Sequence, residues 1–126
     1  MVEQTYSNAE RNAVALKGYT RIARAWGLSS KETAALLDMT EDDLQRARNS
    51  APNDSVTDAQ LLRISAVLGI YVSLETFFSA PLAQSWISRP NTGPLFEGRR
   101  PINSAIEGGL PQLLRIRSYL DGLAGR

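Results

Sequence analysis

Gly27-Leu28-Ser29-Ser30-Lys31-Glu32-Thr33-Ala34-Ala35-Leu36-Leu37-Asp38-Met39-Thr40-Glu41-Asp42-Asp43-Leu44-Gln45-Arg46-Ala47-Arg48-Asn49 is the stretch on which the fold class turns. Ser29 stands three residues before Glu32. In that pairing the hydroxyl accepts from an orphan amide of a helix's first turn while the carboxylate reaches back to the cap's own N–H. A short helix through Ala34, Ala35, Leu36 and Leu37 follows. After Asp38-Met39, Thr40 with Asp43 repeats the device and opens a second short helix containing Leu44 and Ala47. Ala34 is small enough for a close crossing, and Leu28, Leu37, Met39 and Leu44 supply an apolar interior. Two short helices around a tight turn have the anatomy of a helix-turn-helix.

Upstream, Ala13, Leu16, Tyr19, Ile22 or Ala23, and Trp26 recur every three or four positions, which predicts a helix over residues 8–26 stopped by Gly27. Lys17, Arg21 and Arg24 form a basic stripe on another face, of the kind that usually meets solvent. Downstream, Pro52-Asn53-Asp54-Ser55 is a turn-rich linker, and Thr57 with Gln60 makes a third capping box. Leu61, Leu62, Ile64, Val67 and Leu68 then predict an apolar helix, central to the core or to a dimer and ended by Gly69. Leu74, Phe77 and Phe78 form a further apolar cluster before Pro81. The expected fold class is all-α.

The second helix of the pair begins Glu41-Asp42-Asp43, three carboxylates that favour a helix dipole and repel DNA. The candidate base-edge readers therefore come a turn later, Gln45, Arg46, Arg48 and Asn49, with Lys31 as a phosphate contact.

The chain has 126 residues, room for one compact unit, with a division expected between residues 1–56 and 57–126. It has neither cysteine nor histidine, which excludes disulfides, thiolate and imidazole chemistry, and metal sites built from those ligands. Lys and Arg number 14 against 13 Asp and Glu, for a net charge of +1, so any nucleic-acid surface must be local. No paired acid-base spacing, glycine-rich phosphate loop or activated nucleophile stands out, so the chain reads as a non-enzyme with no cofactor. The start MVEQTYSNAERN lacks a basic n-region and an apolar h-region, and no apolar run approaches the roughly 18 residues of a membrane span. The expectation is a soluble, cytoplasmic protein with no membrane partner.

Proline and glycine concentrate late. Trp86-Ile87-Ser88-Arg89-Pro90-Asn91, Leu95-Phe96-Glu97-Gly98, Arg99-Arg100-Pro101-Ile102 and Gly108-Gly109 hold too many residues of fixed geometry for a plain helix linker. Pro90 ends a helix, Asn91 turns the chain by bonding its own backbone, and Pro101 suits a helix N1 position. Gly98 allows a left-handed turn and Gly108 a helix C-cap. By themselves these residues specify shape and no chemistry.

The order Trp, Pro-Asn, Phe-x-Gly, Pro-Ile, Gly-Gly and a last amphipathic helix resembles the toxin-binding domain of the Xre/MbcA/ParS-like antitoxin family over residues 57–126. The Gly-Leu-Ser…Glu-Thr-Ala-Ala-Leu-Leu run is similar to the same family's helix-turn-helix part. The resemblance implies an antitoxin of a type II toxin-antitoxin system. Its partner would be a RES-domain toxin that consumes NAD or uses it for ADP-ribosylation, neutralised by occlusion of its active site. It also implies a homodimer within a hetero-oligomeric complex that binds operator DNA and represses its own operon. The chain departs from the pattern at Phe96 and Glu97, where the family often has a small residue or glycine, and at the more basic turn Arg99-Arg100.

On that resemblance, Trp86, Pro90, Asn91 and Phe96 belong to the docking surface or its scaffold, with Trp86 itself read as core. Arg99 and Arg100 would face the toxin. On the last helix Leu110, Leu113, Leu114, Leu120 and Leu123 set an apolar stripe, with Arg117 and Tyr119 beside it. Gly122-Leu123-Ala124-Gly125-Arg126 with Tyr119 would plug the NAD pocket, Arg126 meeting a carboxylate. The alternative is a plain helix-turn-helix regulator whose back half is a dimerisation domain.

Overall fold

The computed structural model describes residues 8–49, 56–123 and 125; the linker at 52–55 and Arg126 lie outside them. The described residues are all-α: α1 (Asn8–Ala25), α2 (Ser30–Leu36), α3 (Glu41–Asn49), α4 (Asp58–Phe77), α5 (Ala80–Ser85) and α6 (Pro101–Leu123), with a single 3-10 turn at Trp86–Ser88. Ser29–Glu32 and Thr57–Gln60 both close as reciprocal capping boxes. Thr40 closes only half of one. Its hydroxyl accepts from the Asp43 amide, while the Asp43 carboxylate turns outward to pair with Arg46.

α4 is the axis of the fold, packed on α1, α5 and α6. One apolar core runs through both halves, from Leu16 and Tyr19 of α1, through Ile64, Val67, Ile70 and Leu74 of α4, to Ile102, Leu113, Ile116 and Leu120 of α6. Residues on both sides of position 56 belong to that one core. The Val56 carbonyl accepts from Asn12 Nδ2 at 3.2 Å, and α4 serves both sides of it.

Gly69 does not end α4, which continues to Phe77. A glycine inside a helix costs about 1 kcal/mol against alanine, but it stops the helix only when the next turn needs another conformation. Here the bare backbone is covered by Arg117 of α6, whose guanidinium occupies the space a Cβ would take. Phe77 and Phe78 pack edge to face, with ring centroids 4.8 Å apart. α4 is long and apolar enough to cross a membrane, which corrects the expectation that no stretch reaches that length. In this fold its inner side is the centre of the core.

The last four carbonyls of a helix have no partner within it, and in the seven-residue α2 each one finds a donor. Tyr19 Oη donates to Thr33 O at 2.6 Å. The amides of Leu37 and Met39 reach Ala34 O, and that of Asp38 reaches Ala35 O. Arg63 Nη1 of α4 donates to Leu36 O at 3.3 Å. α1 and α4 thus hold the helix-turn-helix by its first helix's C-terminal end.

Complete burial raises the Tyr19 phenol well above its ordinary value of 10. Its neutral form is therefore favoured by folding, a contribution present below pH 10 and lost as pH climbs beyond it. Tyr19→Phe is expected to cost about 0.5–1.5 kcal/mol near neutrality. In urea unfolding that gap to the wild type should narrow above about pH 10; a gap independent of pH would contradict this role.

Candidate functional site

The proline- and glycine-rich segment closes into one loop. After the 3-10 turn, Arg89 is extended and Pro90 carries the chain out. At the neck, the Asn91 amide donates to Arg99 O at 3.0 Å and the Gly98 amide to Asn91 O at 2.8 Å. Within it, Asn91 Oδ1 accepts from the Gly93 amide at 2.7 Å, the self-bonding turn that its side chain favours. Glu97 (φ 51°) and Gly98 (φ 85°) take consecutive left-handed conformations. A left-handed backbone is uncommon for a residue with a side chain, so Glu97 is strained there.

Phe96 fills the loop from inside. It is 1% exposed and packs edge to face on Trp86, centroids 5.6 Å apart, and on Tyr119 at 6.3 Å. Arg100 ties the loop's outgoing end to the rest of the molecule: Nε donates to Ser88 O at 3.0 Å and Nη2 to Glu32 Oε2 at 3.2 Å. Glu32 is at the same time the carboxylate of the α2 capping box, its Oε1 accepting from the Ser29 amide. One glutamate therefore joins the helix-turn-helix to the loop.

The residues expected to dock a partner consequently divide. Trp86 and Phe96 are buried, 7% and 1% exposed, and support the loop from beneath. Asn91 Oδ1 and Arg100 Nε and Nη2 are engaged within the molecule. Pro90 and Arg99 lie on the exposed rim, where Arg99 pairs with Glu107 at 2.8 Å between two solvent-facing side chains. Tyr119 lies half-buried beside the loop, its hydroxyl near Gly93, and Leu123 is exposed one turn further along α6. Arg117 is separated from this group, on the α4 side of α6. On the last helix the buried stripe is Leu113, Ile116 and Leu120, while Leu114 and Leu123 face water. Arg89, Thr92, Pro94 and Glu97 complete the rim, and no periodicity in the sequence marks any of the four, because the loop is irregular.

At the other end, a groove of about 530 Å³ lies between α1, α2 and α3, lined among others by Thr20, Arg24, Ser30, Glu41, Asp42, Gln45 and Arg48. It brings Gln45 and Arg48 together with Arg24 of the α1 basic stripe, the contribution that α3 alone does not show. Lys31 and Asn49 are exposed at the start of α2 and the end of α3. Arg46 points elsewhere, paired with Asp43 beside Met39 and Gln60. Glu41 and Asp42 share the groove with the cations, so its field is mixed. Among the described residues no three carboxylates gather as a metal-binding group.

No family model matches the chain, and no solved structure matches it. The chain is 30% identical over 124 residues to the uncharacterized protein y4oB of Sinorhizobium fredii (strain NBRC 101917 / NGR234). The alignment covers 94% of this chain and 91% of that one.

Proposed function

We propose, for a chain that belongs to the same family as the Sinorhizobium fredii protein y4oB, that it is a protein-neutralising regulator of the antitoxin type. It acts in the cytoplasm by laying loop 89–99 and the Tyr119 side of α6 over the entrance of a RES-domain toxin's active site. One observation carries the reading. The loop devotes a buried phenylalanine, an asparagine-made turn and a hydrogen-bonded neck to fixing its shape, yet leaves Arg89, Thr92, Pro94, Glu97 and Arg99 facing water. A compact surface loop packed by its own side chain is a common vehicle for binding. A preformed rim keeps the ordering cost of association low. The chain itself is proposed to perform no catalysis and to need no cofactor.

A second reading, a plain helix-turn-helix regulator, is favoured by the α2–α3 pair and by the meeting of Arg24, Gln45 and Arg48 in one groove. Under the first reading operator binding is an added activity. Co-expression with the product of an adjacent RES-domain gene separates the two. Relief of growth arrest together with co-purification is expected of the antitoxin, and both should be lost on reversing Arg89 and Arg99 to glutamate. Tight operator binding with no effect on that neighbour would give the second reading instead.

A further inference from the structure

α2 has seven residues, too few for a helix to hold its own form in water, so its order is set at its ends. At the first turn Glu32 works with both carboxylate oxygens. Oε1 accepts from the Ser29 amide at 3.0 Å, closing the capping box, and Oε2 accepts from Arg100 Nη2 at 3.2 Å. The Glu32 and Arg100 side chains are 23% and 39% exposed, less open to screening than a pair standing free in solvent. Arg100 in turn stands where the loop meets α6. The residue before it, Arg99, offers the neck carbonyl to the Asn91 amide, and the Arg100 carbonyl accepts from the Asn103 and Ser104 amides of α6. Its Nε holds Ser88 O, where the chain enters the loop. One residue therefore touches the loop's entrance, its exit and the cap of α2. At the far end of α2, Arg63 Nη1 donates to Leu36 O, and the same guanidinium lies beside Gly109, where α6 breaks. α2 is thus fastened at both ends next to the ends of α6's first stretch, and it packs against α6.

We infer that Glu32 couples the loop to the helix-turn-helix: the shape of loop 89–99 sets how firmly the first turn of α2 is held, and α2 in return sets where the loop's outgoing end stands. A carboxylate is needed for this. A glutamine keeps the capping box with its one acceptor oxygen and presents N–H groups to Arg100, which has only N–H groups to offer in return. When a bound partner or a substitution shifts the neck, Arg100 moves with the backbone of Arg99 and leaves Oε2. α2 then keeps its box and loses its strut. Two states of one contact thus connect two separate surfaces. By linkage, whatever fills the loop's rim and whatever meets α2 and α3 alter each other's affinity by the same factor. The coupling belongs to the chain alone and is independent of what either surface binds.

Amide hydrogen exchange of the full chain, resolved by residue, tests the coupling, because exchange through local opening reports the order of one segment. Gly98→Ala places a side chain on a left-handed backbone (φ 85°) at the neck. Asn91→Ala is the milder disturbance, removing the acceptor of the Gly93 turn. Both are expected to speed exchange at Thr33, Ala34 and Ala35 on the order of 5- to 10-fold, with the amides of α1 over residues 16–22 unchanged. In Glu32→Gln the α2 amides start from the faster rate, and adding either loop substitution should change them by less than about twofold. An ion pair that only adds stability would instead give additive effects. Rates in α2 indifferent to both loop substitutions would overturn the inference. So would responses of undiminished size in the Glu32→Gln background, or an acceleration that α1 shares equally in both loop variants, since that reports unfolding of the whole chain.

Discussion

Phe96→Ala is expected to remove about 3–5 kcal/mol of stability and to lower the melting temperature by roughly 10 °C or more. The ring is the most deeply buried side chain of loop 89–99, and it meets Trp86 and Tyr119 edge to face. Such pairs add about 0.5–1.5 kcal/mol each beyond area burial. The neck hydrogen bonds are local and exchange with water at small net cost, so without the ring the loop has little to hold its form. Emission from Trp86 should shift to the red, while the more distant Trp26, which packs near Tyr71, reports an undisturbed front half. Phe96→Leu should cost clearly less. A loss under about 1 kcal/mol for the alanine variant would mean that the loop does not depend on this ring.

Gly109→Ala is the second large effect. Gly109 (φ 65°, ψ −153°) divides α6 into two helical stretches, in a backbone region that is essentially restricted to glycine. Side chains there cost about 1–3 kcal/mol in strain. A Cβ would also fall 3.1 Å from Arg63 Nη2, displacing the guanidinium that satisfies Leu36 O for about another 1 kcal/mol. Gly69→Ala makes the contrast. There the obstacle is the free end of Arg117, which swings aside, and alanine favours the helix by roughly 0.5–1 kcal/mol. Urea unfolding of both variants should therefore show a large loss at position 109 and little or none at 69. Equal losses would contradict the distinction.

That contrast also marks how far the sequence was legible. Capping boxes and the α1 stripe are written within four residues, and Ser29–Glu32, Thr57–Gln60 and Leu16–Tyr19–Ile22 were all readable as such. What a glycine does depends on its neighbours in space. The continuation of α4 through Gly69 rests on Arg117, far along the chain, and the break in α6 fell at Gly109 although Gly108 looked the better cap. Gly108 is instead hemmed in by Gln112, whose Cβ a new Cβ would approach to 2.5 Å. Thr40 and Asp43 look like a full capping box until Arg46 offers the carboxylate a charged partner.

The candidate site was legible as a shaped segment but not as an inside and an outside. Trp86, Asn91, Phe96 and Arg100 have side chains typical of interfaces, and only three dimensions reveal that they build and brace the loop while Arg89, Thr92, Pro94 and Glu97 form its rim. The Arg100–Glu32 link joins distant parts of the chain and leaves no local trace.

NAD consumption by a RES-domain protein, followed while this chain is titrated in, tests the proposed neutralising role most directly. The account predicts inhibition that saturates at a fixed molar ratio. It also predicts that Arg89→Glu with Arg99→Glu weakens the inhibition at least tenfold while thermal unfolding stays within about 0.5 kcal/mol of the wild type. Undiminished NAD loss at saturating chain, or inhibition untouched by those two reversals, would contradict it.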